Sequence, residues 1–224
     1  MKRHFDQRIL SLSFIAVFAT LIISGCVSDR TPVQIEGVEI EGYQGERLSS
    51  INDFRENSIK GPQYIDNGTY TLQVTGLVED PKIFTYGQVI DGFQGYEKVV
   101  TLNCVEGWSV TILWEGVLVR DIINTAKPTP AANTVIFHAY DGYTTSFPIE
   151  YPMENDILMA YRMNGVTIPP ERGYPFVLVA ESKWGYKWIK WVTEIELSDN
   201  EDYEGYWERR GYSNEGDLGK PFVG

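Results

Sequence analysis

Apolar and polar side chains alternate along Tyr70-Thr71-Leu72-Gln73-Val74-Thr75-Gly76-Leu77-Val78. That period sets one face against a core and predicts a strand, ended by Glu79-Asp80-Pro81. Short apolar runs predict further strands over 99–104, 110–113, 134–138, 144–149, 176–180 and 192–197. Helical periodicity is scarce. Residues 84–90 suit one short helix and 117–125 a second, with Val117, Leu118, Ile122 and Ile123 on one side. The expected class is α+β, mainly β, in a single domain over residues 51–198, with no internal repeat.

The start of the chain follows another pattern. Lys2, Arg3 and Arg8 precede an uncharged apolar stretch over 9–23, and Ile23-Ser24-Gly25-Cys26 resembles a lipobox. The stretch is shorter than the about 20 residues a permanent span needs. Residues 1–25 are therefore expected to be a lipoprotein signal peptide, with Cys26 the lipidated residue; an uncleaved signal anchor is the alternative. Either way the domain belongs at the extracytoplasmic face of the cell membrane. Residues 26–50 read as a flexible acidic tether, able to hold the domain about 30 Å from the bilayer. Residues 199–224 read as a tail packing on or near the domain. It would either wrap a pocket or meet a membrane-bound electron-transfer partner.

Charge narrows the partners. Of 19 Lys+Arg and 31 Asp+Glu, the signal takes Lys2, Arg3, Arg8 and Asp6, leaving a net charge near −14. That disfavours nucleic acid and leaves a small molecule as the expected substrate. Beyond the signal there is one histidine, His138, so the usual His/Cys zinc site lacks ligands. Gly-x-Ser-x-Gly, Walker and dinucleotide glycine motifs are absent. With Cys26 assigned to lipid, Cys104 has no disulfide partner. It is either a small buried hydrophobe or a thiolate serving as nucleophile or soft metal ligand.

Ordered segments around Cys104 carry a family resemblance. Cys104-Val105-Glu106-Gly107-Trp108-Ser109-Val110, followed by Trp114-Glu115-Gly116-Val117, resembles the cofactor-cysteine segment of the sulfite oxidase superfamily. It is most similar to the branch containing the methionine sulfoxide reductase catalytic subunit. Phe54-Arg55-Glu56-Asn57-Ser58-Ile59-Lys60-Gly61 resembles the family's lead-in segment, and residues 70–81 its first strand. Asp141-Gly142-Tyr143-Thr144, Leu158-Met159-Ala160-Tyr161-Arg162-Met163-Asn164-Gly165, Gly173-Tyr174-Pro175-Phe176 and Gly185-Tyr186-Lys187-Trp188-Ile189-Lys190-Trp191 follow in order.

The resemblance implies a sulfite oxidase-type molybdopterin-binding fold. It also implies a mononuclear molybdenum on one pyranopterin, with Cys104 as the metal ligand. Arg55 and Asn57 match the segment that touches the pterin. Lys187 and Lys190, with Lys183 nearby, match a phosphate-binding segment. Trp108 and Tyr143 would shape the pocket mouth, and Asp141 is the acid expected near the reacting atoms. Sulfite-oxidising relatives carry an arginine cluster after the ligand cysteine, whereas Val105-Glu106-Gly107-Trp108 stands here. Glu106 would repel an anion, so a neutral oxo-acceptor such as a sulfoxide is expected instead. Lys2-Arg3 either stands in for a twin-arginine signal or marks a cofactor-free binding lipoprotein on the same fold. A third reading is a glycan-binding module built on Trp184, Trp188, Trp191, Tyr203, Tyr206 and Trp207.

Overall fold

The computed structural model describes residues 37–224. The signal peptide, Cys26 and the first part of the tether lie outside the described residues. After a hairpin of β1 (Gly42–Tyr43) and β2 (Glu46–Arg47) come β3 (Thr71–Gly76), β4 (Lys82–Thr85), α1 (Tyr86–Gly92), β5 (Gly95–Asn103) and β6 (Ser109–Leu118). Then follow α2 (Val119–Thr125), β7 (Thr134–Ala139), β8 (Thr144–Pro148), α3 (Glu150–Glu154) and β9 (Leu158–Met163). The strands β10 (Val166–Thr167), β11 (Val177–Val179) and β12 (Val192–Ser198) complete the set.

Beside the β1–β2 hairpin there are two five-stranded sheets, and the fold is mainly β as expected. One runs β10-β9-β6-β5, with β11 also paired to β9, all antiparallel. The other runs β4-β3-β12-β7-β8, where β12 lies parallel to β3 and antiparallel to β7. The alternation of β3 puts Leu72 and Val74 fully inside while Thr71 and Gln73 face out. Helix α1 starts where Thr85 and Gln88 form a reciprocal capping box.

Several elements differ from the sequence expectation, among them β4, which takes the start of the helix expected over 84–90 so that α1 begins at Tyr86. The helix expected over 117–125 begins only at Val119, because Val117 and Leu118 are held in β6 by pairing with Met159 and Leu158. Strand β9 has no counterpart among the expected strands. Its Leu-Met-Ala run favours helix intrinsically, and burial on both faces removes the alternation that marks a strand.

The stretch before the domain is docked from Glu39 onward. Asn164, fully buried, donates through Nδ2 to Glu39 Oε1 and to Ser49 O, each at 2.8 Å. Its Oδ1 accepts from Leu113 N at 3.0 Å, so one side chain ties this stretch to β6. Residues 199–224 run back over the domain. Tyr206 N donates to Thr144 O at 2.9 Å and Trp184 N to Gly216 O at 2.8 Å.

Candidate active site

Cys104 sits in the tip that joins β5 to β6. Cys104 N donates to Trp108 O at 2.9 Å and Gly107 N to Cys104 O at 3.0 Å, closing a tight turn. Gly107 has φ +85°, which a side chain rarely adopts, so the glycine sets the turn that directs the chain back. Cys104 is 8% exposed and is the free cysteine of the described residues. Burial pushes its thiol above the ordinary value; the Glu106 carboxylate adds to this, while nearby N–H groups and Arg55 draw it back down.

A cavity of about 250 Å³ opens beside this turn. Phe54 packs edge-on against Trp108 at 6.1 Å and Trp114 at 6.2 Å, which lays the lead-in segment along one wall. Arg55 and Asn57 line that wall, and Asn57 Nδ2 donates to Glu106 Oε1 at 3.3 Å. Trp108 Nε1 donates to the other Glu106 oxygen at 3.1 Å. Asp141, buried in the turn after β7, accepts from Tyr143 N at 2.9 Å through Oδ1. The Tyr143 hydroxyl donates to Tyr186 O at 2.5 Å, and desolvation holds its phenol well above the ordinary value.

The facing wall is the Gly185 turn. A Cβ on Gly185 would lie 3.2 Å from Asn103 O and 3.4 Å from Cys104 Cα, so the close approach favours glycine. Lys190 lines the cavity with its Nζ 3.1 Å from Glu56 Oε2 and 4.3 Å over the Trp191 ring. Burial lowers its pKa, and Glu56 partly offsets that.

Structure therefore brings Arg55, Asn57, Cys104, Trp108, Asp141, Tyr143 and Lys190 to one cavity. Lys183 and Lys187 stand elsewhere, and neither lines it. Lys187 is fully buried against Glu208, with Nζ–Oε1 at 2.8 Å and Asn214 O at 2.8 Å. Lys183 Nζ reaches Asp217 at 2.5 Å and Glu215 O at 2.9 Å. Both amines are consumed by residues of the tail. The glycan surface is not formed either, because Trp188 and Trp191 are core residues at 5% and 1% exposure.

Arg172 is the cation the sequence did not single out. It lines the cavity, donates to Ile51 O at 3.0 Å and Phe54 O at 3.2 Å, and lies 5.4 Å from the Phe54 ring centroid. Its Pro-Glu-Arg-Gly surroundings read only as a turn. Trp207 and Tyr212 also reach the cavity from the tail.

These residues fit an anionic metal-bearing cofactor. One thiolate is too few donors to hold a metal, and among the described residues no group of three His, Cys, Asp or Glu supplements it. A group that brings its own soft donors and leaves one position for sulfur matches that set. Arg55, Arg172 and Lys190 supply positive charge for its phosphate.

Comparison with known proteins agrees. The oxidoreductase molybdopterin binding domain model matches residues 59–207, a span that stops short of Glu208 and Tyr212. The uncharacterised oxidoreductase YuiH of Bacillus subtilis is 36% identical over 157 residues, covering 70% of this chain and 78% of that one. The protein-methionine-sulfoxide reductase catalytic subunit MsrP of Gluconobacter oxydans is 30% identical over 149 residues. That match takes 59% of this chain and 48% of MsrP, so the chain spans about half of that relative's length. The crystal structure of the sulfane dehydrogenase SoxCD from Paracoccus pantotrophus superposes with a TM-score of 0.63 at 19% identity. It covers 88% of this chain and 60% of the SoxCD chain, and shares the fold.

Proposed function

The chain belongs to the oxidoreductase molybdopterin-binding domain family, within the sulfite oxidase superfamily, and from that premise we propose the reaction it runs. It is a molybdenum-dependent oxidoreductase that reduces a neutral oxo-acceptor such as a sulfoxide, lipid-anchored through Cys26 at the extracytoplasmic face. The S–O bond breaks, two electrons and two protons enter, and a thioether and water leave. A membrane-bound electron-transfer partner supplies the electrons. When bound, the molybdenum–pyranopterin group supplies two-electron oxygen-atom exchange, held by Cys104 and charge-matched by Arg55, Arg172 and Lys190.

The observation that carries the substrate class is Glu106. Its carboxylate lies in the cavity lining between Asn57 and Trp108, beside Cys104, where it disfavours an anionic substrate. The name of the MsrP relatives points to a sulfoxide. Asp141 is the acid that would deliver a proton to the departing oxygen, held by its Oδ1 contact with Tyr143. Trp108 and Tyr143 line the cavity beside it.

The test is elemental analysis of protein purified from its native membrane, beside Cys104→Ala. Near-stoichiometric molybdenum in the wild type and its loss in the variant are expected, followed by turnover of a sulfoxide. Absence of molybdenum from the natively exported protein would leave a binding lipoprotein and sink the enzymatic reading. Mass spectrometry of the N-terminal peptide tests the anchor separately, with a diacylated Cys26 the expected product.

A further inference from the structure

Residues 199–224 form a strap that completes the cavity. Trp207 and Tyr212 line it, with ring centroids 5.0 Å apart, and Tyr212 meets Tyr186 edge-on at 5.1 Å. The strap is fastened to the wall that faces Cys104. Trp184 N donates to Gly216 O at 2.8 Å, the Tyr186 hydroxyl to Ser213 O at 2.7 Å, and Lys187 Nζ to Asn214 O at 2.8 Å. Glu208 is the anchor beneath, accepting from Lys187 and, at 2.8 Å, from the Thr145 hydroxyl. Trp207 and Tyr212 are thus held on either side of a buried, bonded carboxylate.

Charge divides the cavity. Arg172 and Lys190 take their polar partners from residues 51–56 and Glu171, on the lead-in side. The strap contributes aromatic rings and no cation to the lining. Its arginines are exposed and turned to the strap's own carbonyls, Arg209 to Glu204 O at 2.8 Å and Arg210 to Tyr206 O at 2.5 Å. A phosphate-bearing cofactor is drawn to the cationic side, which leaves the aromatic side to the substrate.

On the reading that the enzyme reduces sulfoxides, we propose that Trp207 and Tyr212 are specificity-determining residues. They select an apolar or aryl substituent beside the oxo group. Aromatic faces gain from such a group through both area and ring geometry, and offer little to a substrate that is polar throughout.

Trp207→Ala and Tyr212→Ala holoenzymes, with Trp207→Phe as the conservative control, test this with methyl phenyl sulfoxide and dimethyl sulfoxide. In each alanine variant the ratio of kcat/KM for the aryl over the dimethyl substrate is expected to fall roughly threefold to tenfold. The loss should appear in KM at unchanged molybdenum content, and Trp207→Phe should restore most of it. An unchanged ratio overturns the proposal. So does loss of molybdenum from the alanine variants, which would put the strap against the cofactor. A wild type that reduces neither sulfoxide sinks the functional reading, and sulfoxide selection with it. Cofactor-free protein separates the two failures: both alanine variants are expected to alkylate faster at Cys104 with a bulky aryl maleimide, read by mass spectrometry. Rates equal to wild type overturn the strap as a cavity wall whichever acceptor the enzyme uses.

Discussion

Lys187 and Lys190 leave the same short stretch of chain and end in opposite settings. Lys190 stays at the cavity, partly exposed, with Glu56 as its partner. Lys187 turns the other way into a site with no solvent at all, where Glu208 of the strap meets it. Enclosure decides between them. Both lysines have a carboxylate partner, but Lys190 and Glu56 keep part of their surface open beside the cavity, whereas Lys187 and Glu208 are sealed in, and Glu208 arrives from a part of the chain that local spacing says nothing about.

The sharpest way to break that contrast is Lys187→Ala. Removing the amine leaves Glu208 buried and uncompensated, with its Oε2 already lacking a partner, so a loss of about 3–5 kcal/mol is expected. Calorimetry should show a large fall in Tm, and Lys187→Met combined with Glu208→Leu should recover most of it. A small fall would mean that the pair does not hold the strap. Lys190→Met should behave oppositely. Its ion pair is partly solvated, so stability is expected to change by less than about 1 kcal/mol while molybdenum content drops. Melting and metal analysis of the same preparations check both halves.

The smallest expected effect is in pH. Burial and Glu106 hold the Cys104 thiol protonated to higher pH than in the unfolded chain. Its contribution to stability is therefore present below the unfolded pKa and lost as pH rises through the folded one. Alkylation of the metal-free protein at Cys104 should accordingly trail a free cysteine along the pH axis. Arg55→Ala should move the curve further up, because Arg55 draws it down. A curve that does not move would place Arg55 away from the sulfur.

Legibility followed how local each signal is. Strand β3 announces itself because one face is wet and one dry. Strand β9 does not, because both faces are dry and its residues suit a helix equally well. Cys104 was legible as a thiol without a partner. The settings of Lys183 and Lys187 were not legible because their counter-charges, Asp217 and Glu208, lie 34 and 21 residues downstream. Arg172 was hidden for the converse reason. Its role depends on Phe54, more than a hundred residues upstream, and its own neighbourhood describes only a turn.

The position of the strap in the chain also orders assembly in time. The lead-in wall, the Cys104 turn, the Asp141 turn and the Gly185 turn all precede Trp207 and Tyr212 along the sequence. Synthesis runs in that direction, so the nascent domain has every other side of its cavity before it has this one. Until residues 199–224 settle onto Lys183–Lys187, the chamber has an open flank.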